Sequence, residues 1–77
     1  MGTALTDVMV HVDEALNEDA ILRLEQDVRA DEGVVAVGHR PGRSHLVMVV
    51  YDSDIVPAAQ LLHAFQDRGL HAQLVGF

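Results

Sequence analysis

From Asp7 to Asp13 the sequence reads Asp-Val-Met-Val-His-Val-Asp, a period of two that puts Val8, Val10 and Val12 on one face. A segment with that repeat is a strand, and its valine face must be covered by something. The next segment supplies a cover. Asn17 is a strong helix N-cap, and Glu18 and Asp19 follow where the helix dipole favours negative charge. Ile21, Leu24 and Val28 then recur at helical spacing, and Glu25 and Arg29 stand i,i+4 in the favourable order. Gly33 ends this helix by offering a left-handed exit after Asp31-Glu32.

The same reading continues to the C-terminus. Val34 to His39 is a second strand, 40–44 has turn chemistry, and His45 to Tyr51 is a third strand. A five-residue loop pairs His39 with His45, Val37 with Val47 and Val35 with Val49, which gathers the valines on one face. Asp52-Ser53-Asp54 is a turn, and Pro57 suits the first turn of a second helix. Ala58, Leu61, Leu62 and Phe65 form that helix's buried stripe, Gly69 stops it, and 70–77 makes a last strand. The fold class is therefore α+β, a ferredoxin-like βαββαβ sandwich. Right-handed crossovers give a four-stranded antiparallel sheet in the order 4-1-3-2, with two helices on one face. Seventy-seven residues hold this one domain, 1–77, with no linker or repeat.

Composition narrows the function. Twelve acidic residues against five arginines and no lysine give a formal charge of −7. A face that binds nucleic acid through its phosphates needs the opposite sign, and so does docking to an anionic membrane. No apolar run approaches the ~20 residues that span a bilayer. The first seven residues have neither a basic start nor a long apolar stretch, so they do not read as a secretory signal. A cytoplasmic location is the expectation. The chain has no cysteine, hence no disulfide and no thiolate for metal binding or nucleophilic attack. There is no Ser-His-Asp set and no phosphate-binding glycine loop. Asp52 and Asp54 are explained by turn capping, so no enzyme is expected.

The stretch from Val10 to Ile21, through Asp13-Glu14-Ala15-Leu16-Asn17, resembles the first strand, metal loop and helix start of heavy-metal-associated domains. The likeness continues through Gly33-Val34-Val35-Ala36-Val37, Tyr51-Asp52-Ser53-Asp54 and Asp67-Arg68-Gly69-Leu70, covering roughly residues 7 to 77. Such domains occur as copper chaperones and as N-terminal modules of metal-pumping P-type ATPases. Their loop carries M-x-C-x-x-C, whose two thiolates hold a soft metal ion such as Cu(I). On this resemblance the two cysteines fall at Asn17 and Ala20, neither of which replaces a thiolate. The resemblance thus implies the fold and withholds the activity, and the replacements make sense as helix capping.

Without cysteine, the five histidines are the strongest transition-metal ligands present. The topology gathers His11, His39, His45 and His71 at the end of the domain where the resemblance keeps its metal. Strand parity puts His39 and His45 on the face of Val37 and Val47, and His11 on the opposite, open face with Met9. If Leu74 points inward, His71 faces His11 from the neighbouring strand. His11 and His71, completed by Asp13 or a second protomer, are the candidate metal ligands, for a divalent transition metal such as Zn(II), Ni(II), Co(II) or Cu(II). His63 belongs to the polar side of helix 2.

Met9, Ala36, Leu46, Met48, Val50, Val75 and Phe77 are expected on the side of the sheet that no helix covers. Apolar patches of that kind mark interfaces. The expected function is a non-enzymatic interaction module, associating with itself or a partner protein through the open sheet face. Metal binding or trafficking through histidines and carboxylates is the alternative. A small-ligand sensor, in the manner of regulatory domains with this fold, is the third.

Overall fold

The computed structural model describes residues 4–40 and 42–75, and of 43 and 44 only the backbone. Six elements follow one another: β1 (Leu5–Val12), α1 (Glu18–Arg29), β2 (Val34–Arg40), β3 (Arg43–Asp52), α2 (Ala58–Gln66) and β4 (Ala72–Val75). They form one antiparallel sheet in the order β2-β3-β1-β4. This is the expected topology. Phe77, expected on the open face, lies outside the described residues.

The alternation in β1 works as its sequence implies. Val8, Val10 and Val12 are buried together with Val37, Val47, Val49 and Tyr51 from the neighbouring strands. The helices bring Ile21, Leu24, Val28, Leu61 and Phe65 onto them. Each such side chain contributes about 1.5–3 kcal/mol by leaving water. Asn17 caps α1 as expected, its Oδ1 accepting from the Ala20 amide at 2.8 Å. The two positions where the resemblance places thiolates are thus the two ends of one capping hydrogen bond. Pro57 occupies the N-cap of α2 with no side-chain hydrogen bond.

The β2–β3 hairpin departs from expectation. Strands run up to Arg40 and from Arg43, so two residues join them where five were expected. Gly42, at φ +75°, supplies the left-handed conformation such a tight turn needs. His39 consequently faces Val47, and Val37 faces Val49. The slip is two residues, so side-chain parity survives and the valines still meet on the core side. Two irregularities interrupt the ladder, between Val34 and Ala36 and between His39 and Arg40. At the first, Val35 is turned out of the core to 55% exposure, and Val34 packs inward instead. At the second, three residues of β3, including His45, have no counterpart on β2.

Gly33 is where the α1 exit meets the β3–α2 turn. Its φ is +90°, and a Cβ there would lie 2.7 Å from Val56 Cγ1 and 2.9 Å from Ile55 Cγ2. Ile55 is exposed and can yield, whereas Val56 is buried and cannot. The Gly33 carbonyl also accepts from the Asp52 amide at 2.8 Å, which ties the two turns together. Gly33→Ala is expected to cost roughly 1–3 kcal/mol in backbone strain, with the clash in addition. For a chain of this size that lowers the melting temperature by about 5–15 °C. Thermal denaturation followed by far-UV dichroism measures it, and an unchanged midpoint contradicts the role given to Gly33.

Candidate functional site

Two surfaces carry chemistry: the uncovered face of the sheet, and the end of the domain where the β1–α1 loop meets the start of β4. The open face follows from strand parity. Gly38, Met48, Met9 and Val75 are successive cross-strand partners, so they form one row spanning all four strands. Ala36 and Val50 pair beside that row on one side, and Leu46 pairs with His11 on the other. Met9, Ala36, Leu46, Met48 and Val50, with Arg40 at the hairpin end, line a shallow concavity of about 510 Å³. Met48, near its middle, is 38% exposed. The polar residues on this face stand at its ends. Asp7, paired with Val50, lies at one end, and His11 and Arg40 lie at the other.

At the loop end the histidines are arranged differently from expectation. His11 faces Gln73 across β1 and β4, so His71 does not oppose it. His71 precedes β4, and its carbonyl accepts from the Asp13 amide at 2.8 Å. Glu14 holds it further. One Glu14 carboxylate oxygen lies 2.9 Å from the His71 amide, and the other lies 2.6 Å from His71 Nδ1. Asp13 turns to His11, its Oδ1 3.1 Å from His11 Nδ1. That contact lies off the line of a hydrogen bond, and His11 Nδ1 is buried without another partner.

His45 is the larger departure. Expected on the core face beside His39, it instead stacks on His11, with ring centroids 6.2 Å apart and planes 18° from parallel. Its Nδ1 lies 2.9 Å from the Val12 carbonyl oxygen. The cause is the irregular stretch of β3, which takes His45 out of the regular alternation. His39 keeps its place on the core side and finds a partner the sequence reading missed. Its Nδ1 is 2.5 Å from Glu25 Oε2, with both side chains at 10% exposure or less. Glu25 was expected to pair with Arg29 along the helix surface. The available signal was its spacing, four residues after Ile21 and three before Val28, which places it on the buried stripe. His63 is exposed, as its helical position implies.

Among the described residues no group of three His, Cys, Asp or Glu side chains is placed to hold a metal ion. None of their helices is long and apolar enough to cross a membrane.

The Glu14–His71 contact shifts both groups. The hydrogen bond from His71 holds the Glu14 carboxyl below its usual 4.5, and the bond to Glu14 raises His71 above its usual 6.5. The stabilisation from His71 is complete below 6.5 and is lost as pH rises through the raised value. That from Glu14 is present above 4.5 and is lost as pH falls through the lowered one. The clamp between loop and β4 is therefore at full strength between pH 4.5 and 6.5. In an NMR titration His71 should lose its proton above pH 6.5, and Glu14→Gln should bring its midpoint down. A midpoint that ignores the substitution contradicts this account.

A scan against family models matches none, and no curated protein matches the chain. Solved structures do match. Oxidized MerP from Ralstonia metallidurans CH34 superposes with a TM-score of 0.82 at 18% identity, covering 95% of this chain and 100% of that one. The putative copper-ion-binding protein from Bacillus anthracis str. Ames does so at 0.80 and 21%, covering 94% and 100%. A copper-binding domain from HMA7, a P-type ATPase, gives 0.81 and 17%, covering 91% and 93%. Identities this low speak for the fold. The chain has the ferredoxin-like βαββαβ fold of heavy-metal-associated domains, built from a sequence that contains no cysteine.

Proposed function

We propose that the protein is a non-enzymatic interaction module whose working surface is the open sheet face, and that this face meets a second copy of itself. The observation that carries the reading is the row Gly38–Met48–Met9–Val75, an apolar band across every strand with charge only beyond its ends. Water gains by release from such a band, while two aligned sheets pack about 10 Å apart with their side chains interleaved.

Charge placement favours self-association. A two-fold axis lying between the sheets and perpendicular to the strands reverses strand direction. It lays the Asp7 end of each face over the Arg40 end of the other, so unlike charges meet twice. A face four strands wide spans only about 15 Å between its outer strands. An interface this narrow is small, so the association is weak. The formal charge of −7 on each copy also repels at long range. Salt should therefore strengthen the dimer, whereas it would weaken attraction to a basic partner.

Sedimentation of the wild type should show a mass that rises with concentration and with salt. Met48→Glu places an unpartnered charge in the middle of the buried band, which costs several kcal/mol in the dimer and little in the monomer. It should be monomeric with an unchanged far-UV dichroism spectrum. A wild type that stays monomeric throughout, or a Met48→Glu mass equal to wild type, overturns the reading.

A further inference from the structure

The stacked pair of His11 and His45 has its ring nitrogens sorted by their surroundings. A carbonyl oxygen can only accept, so His45 must donate from Nδ1 to Val12 O, and in the neutral ring this leaves Nε2 as the lone-pair nitrogen. In His11, Nδ1 is buried and 3.1 Å from a carboxylate oxygen of Asp13. A neutral His11 ring places its proton on that side, facing the negative charge, and again leaves Nε2 as the lone-pair nitrogen. Val12 and Asp13 are neighbours in the chain, so both rings face one short stretch of it through Nδ1, His45 by a hydrogen bond to the Val12 carbonyl and His11 by a longer contact with the Asp13 side chain. Their Nε2 edges are turned away from it. His11 is about one-third exposed and His45 is exposed, so solvent and small ions reach this edge.

An imidazole that gives its Nδ1 proton to a carbonyl or carboxylate while offering Nε2 is the arrangement found in ligands of metal ions. Here His45 has it, and beside it the buried Nδ1 of His11 lies 3.1 Å from the Asp13 carboxylate, off the line of a hydrogen bond. We propose that His11 and His45 form a two-imidazole site that binds a divalent transition-metal ion through both Nε2 atoms, with copper(II) held most tightly. Nitrogen ligands suit copper, nickel and zinc, and the copper preference follows the general order of affinities for a shared site. Among the described residues no third His, Cys, Asp or Glu joins the pair, so water completes the shell. Metal–nitrogen bonds of about 2.0–2.1 Å require the two Nε2 atoms to approach. Rings 6.2 Å apart must therefore tilt, and the exposed His45 does so by turning about its Nδ1 bond to the Val12 carbonyl. His71, held at Nδ1 by Glu14 and opposite neither ring, is not part of this site.

Copper(II) titrated into untagged protein tests the assignment, by calorimetry for affinity and by electron paramagnetic resonance for the nitrogen ligands. One ion per chain with two equatorial imidazole nitrogens is expected. His11→Ala and His45→Ala should each weaken binding by about tenfold or more, while His63→Ala and His71→Ala should leave it unchanged. Each variant's dichroism spectrum shows whether the fold is retained. Nitrogen-15 spectra of the metal-free protein read the tautomers directly, and the proton should sit on Nδ1 in both rings. Wild-type binding by His45→Ala, equal dependence on His71, absence of binding at micromolar copper(II), or a proton on His45 Nε2 would each overturn the proposal.

Discussion

Burial of the valine face of β1 is the constraint on which the rest of the structure depends. β1 is a central strand with β3 on one side and β4 on the other, and Val8, Val10 and Val12 are all buried. Since β1 has neighbours on both edges, the only cover for its valines lies above the sheet, where α1 and α2 supply Ile21, Leu24, Val28, Leu61 and Phe65. A chain this short buries only about 60% of its unfolded surface. Both helices are used on one side, and the other side is left uncovered. The open face is thus a consequence of size and topology, and its sequence decides its use. Met9, Met48, Val50 and Leu46 stand where a domain that kept its sheet in water would carry polar residues.

The loop end shows the opposite economy. A loop whose counterpart in the resembling domains holds two thiolates is closed here by ordinary polar contacts. Asn17 caps α1, Glu14 grips His71, and the Asp13 amide bonds the His71 carbonyl. These contacts account for the loop's geometry without any metal. They also explain why the polar chemistry at this end is shared by two separate pairs. His71 is committed to Glu14, and His11 and His45 are stacked on each other. A third pair, His39 with Glu25, lies on the helix-covered side of the sheet and joins β2 to α1. Breaking one member of that buried pair would leave the other without a partner, which is strongly destabilising.

Element order, strand order and core membership were legible in the sequence because each rests on a short-range pattern. Alternation marks β1, the 21–24–28 spacing marks α1, and Gly33 and Gly69 mark the helix exits at positive φ. The hairpin register was read two residues out, because 40–44 contains enough turn-forming residues for a longer loop. What decides it is a single glycine at φ +75°. The error left the core intact, since a shift of two preserves which side chains face inward. It did not leave the site intact. His45 sits in the irregular stretch of β3 next to the turn, and no alternation rule could place it beside His11. His71 was misplaced for a related reason: the facing position in β4 is held by Gln73, a matter of two residues in strand length. Glu25 was readable in principle, as an acid on an apolar stripe, but its partner lies fourteen residues away across an element boundary.

That the open sheet face is the working surface is the claim from which the functional account follows. Amide spectra of the wild-type protein, recorded from tens of micromolar to about a millimolar, test it most directly. Resonances that move with concentration should cluster at Met9, Gly38, Met48 and Val75 and their strand neighbours, with the outer surfaces of α1 and α2 still. Movements confined to the helices, or a spectrum that does not change across the series, would contradict it.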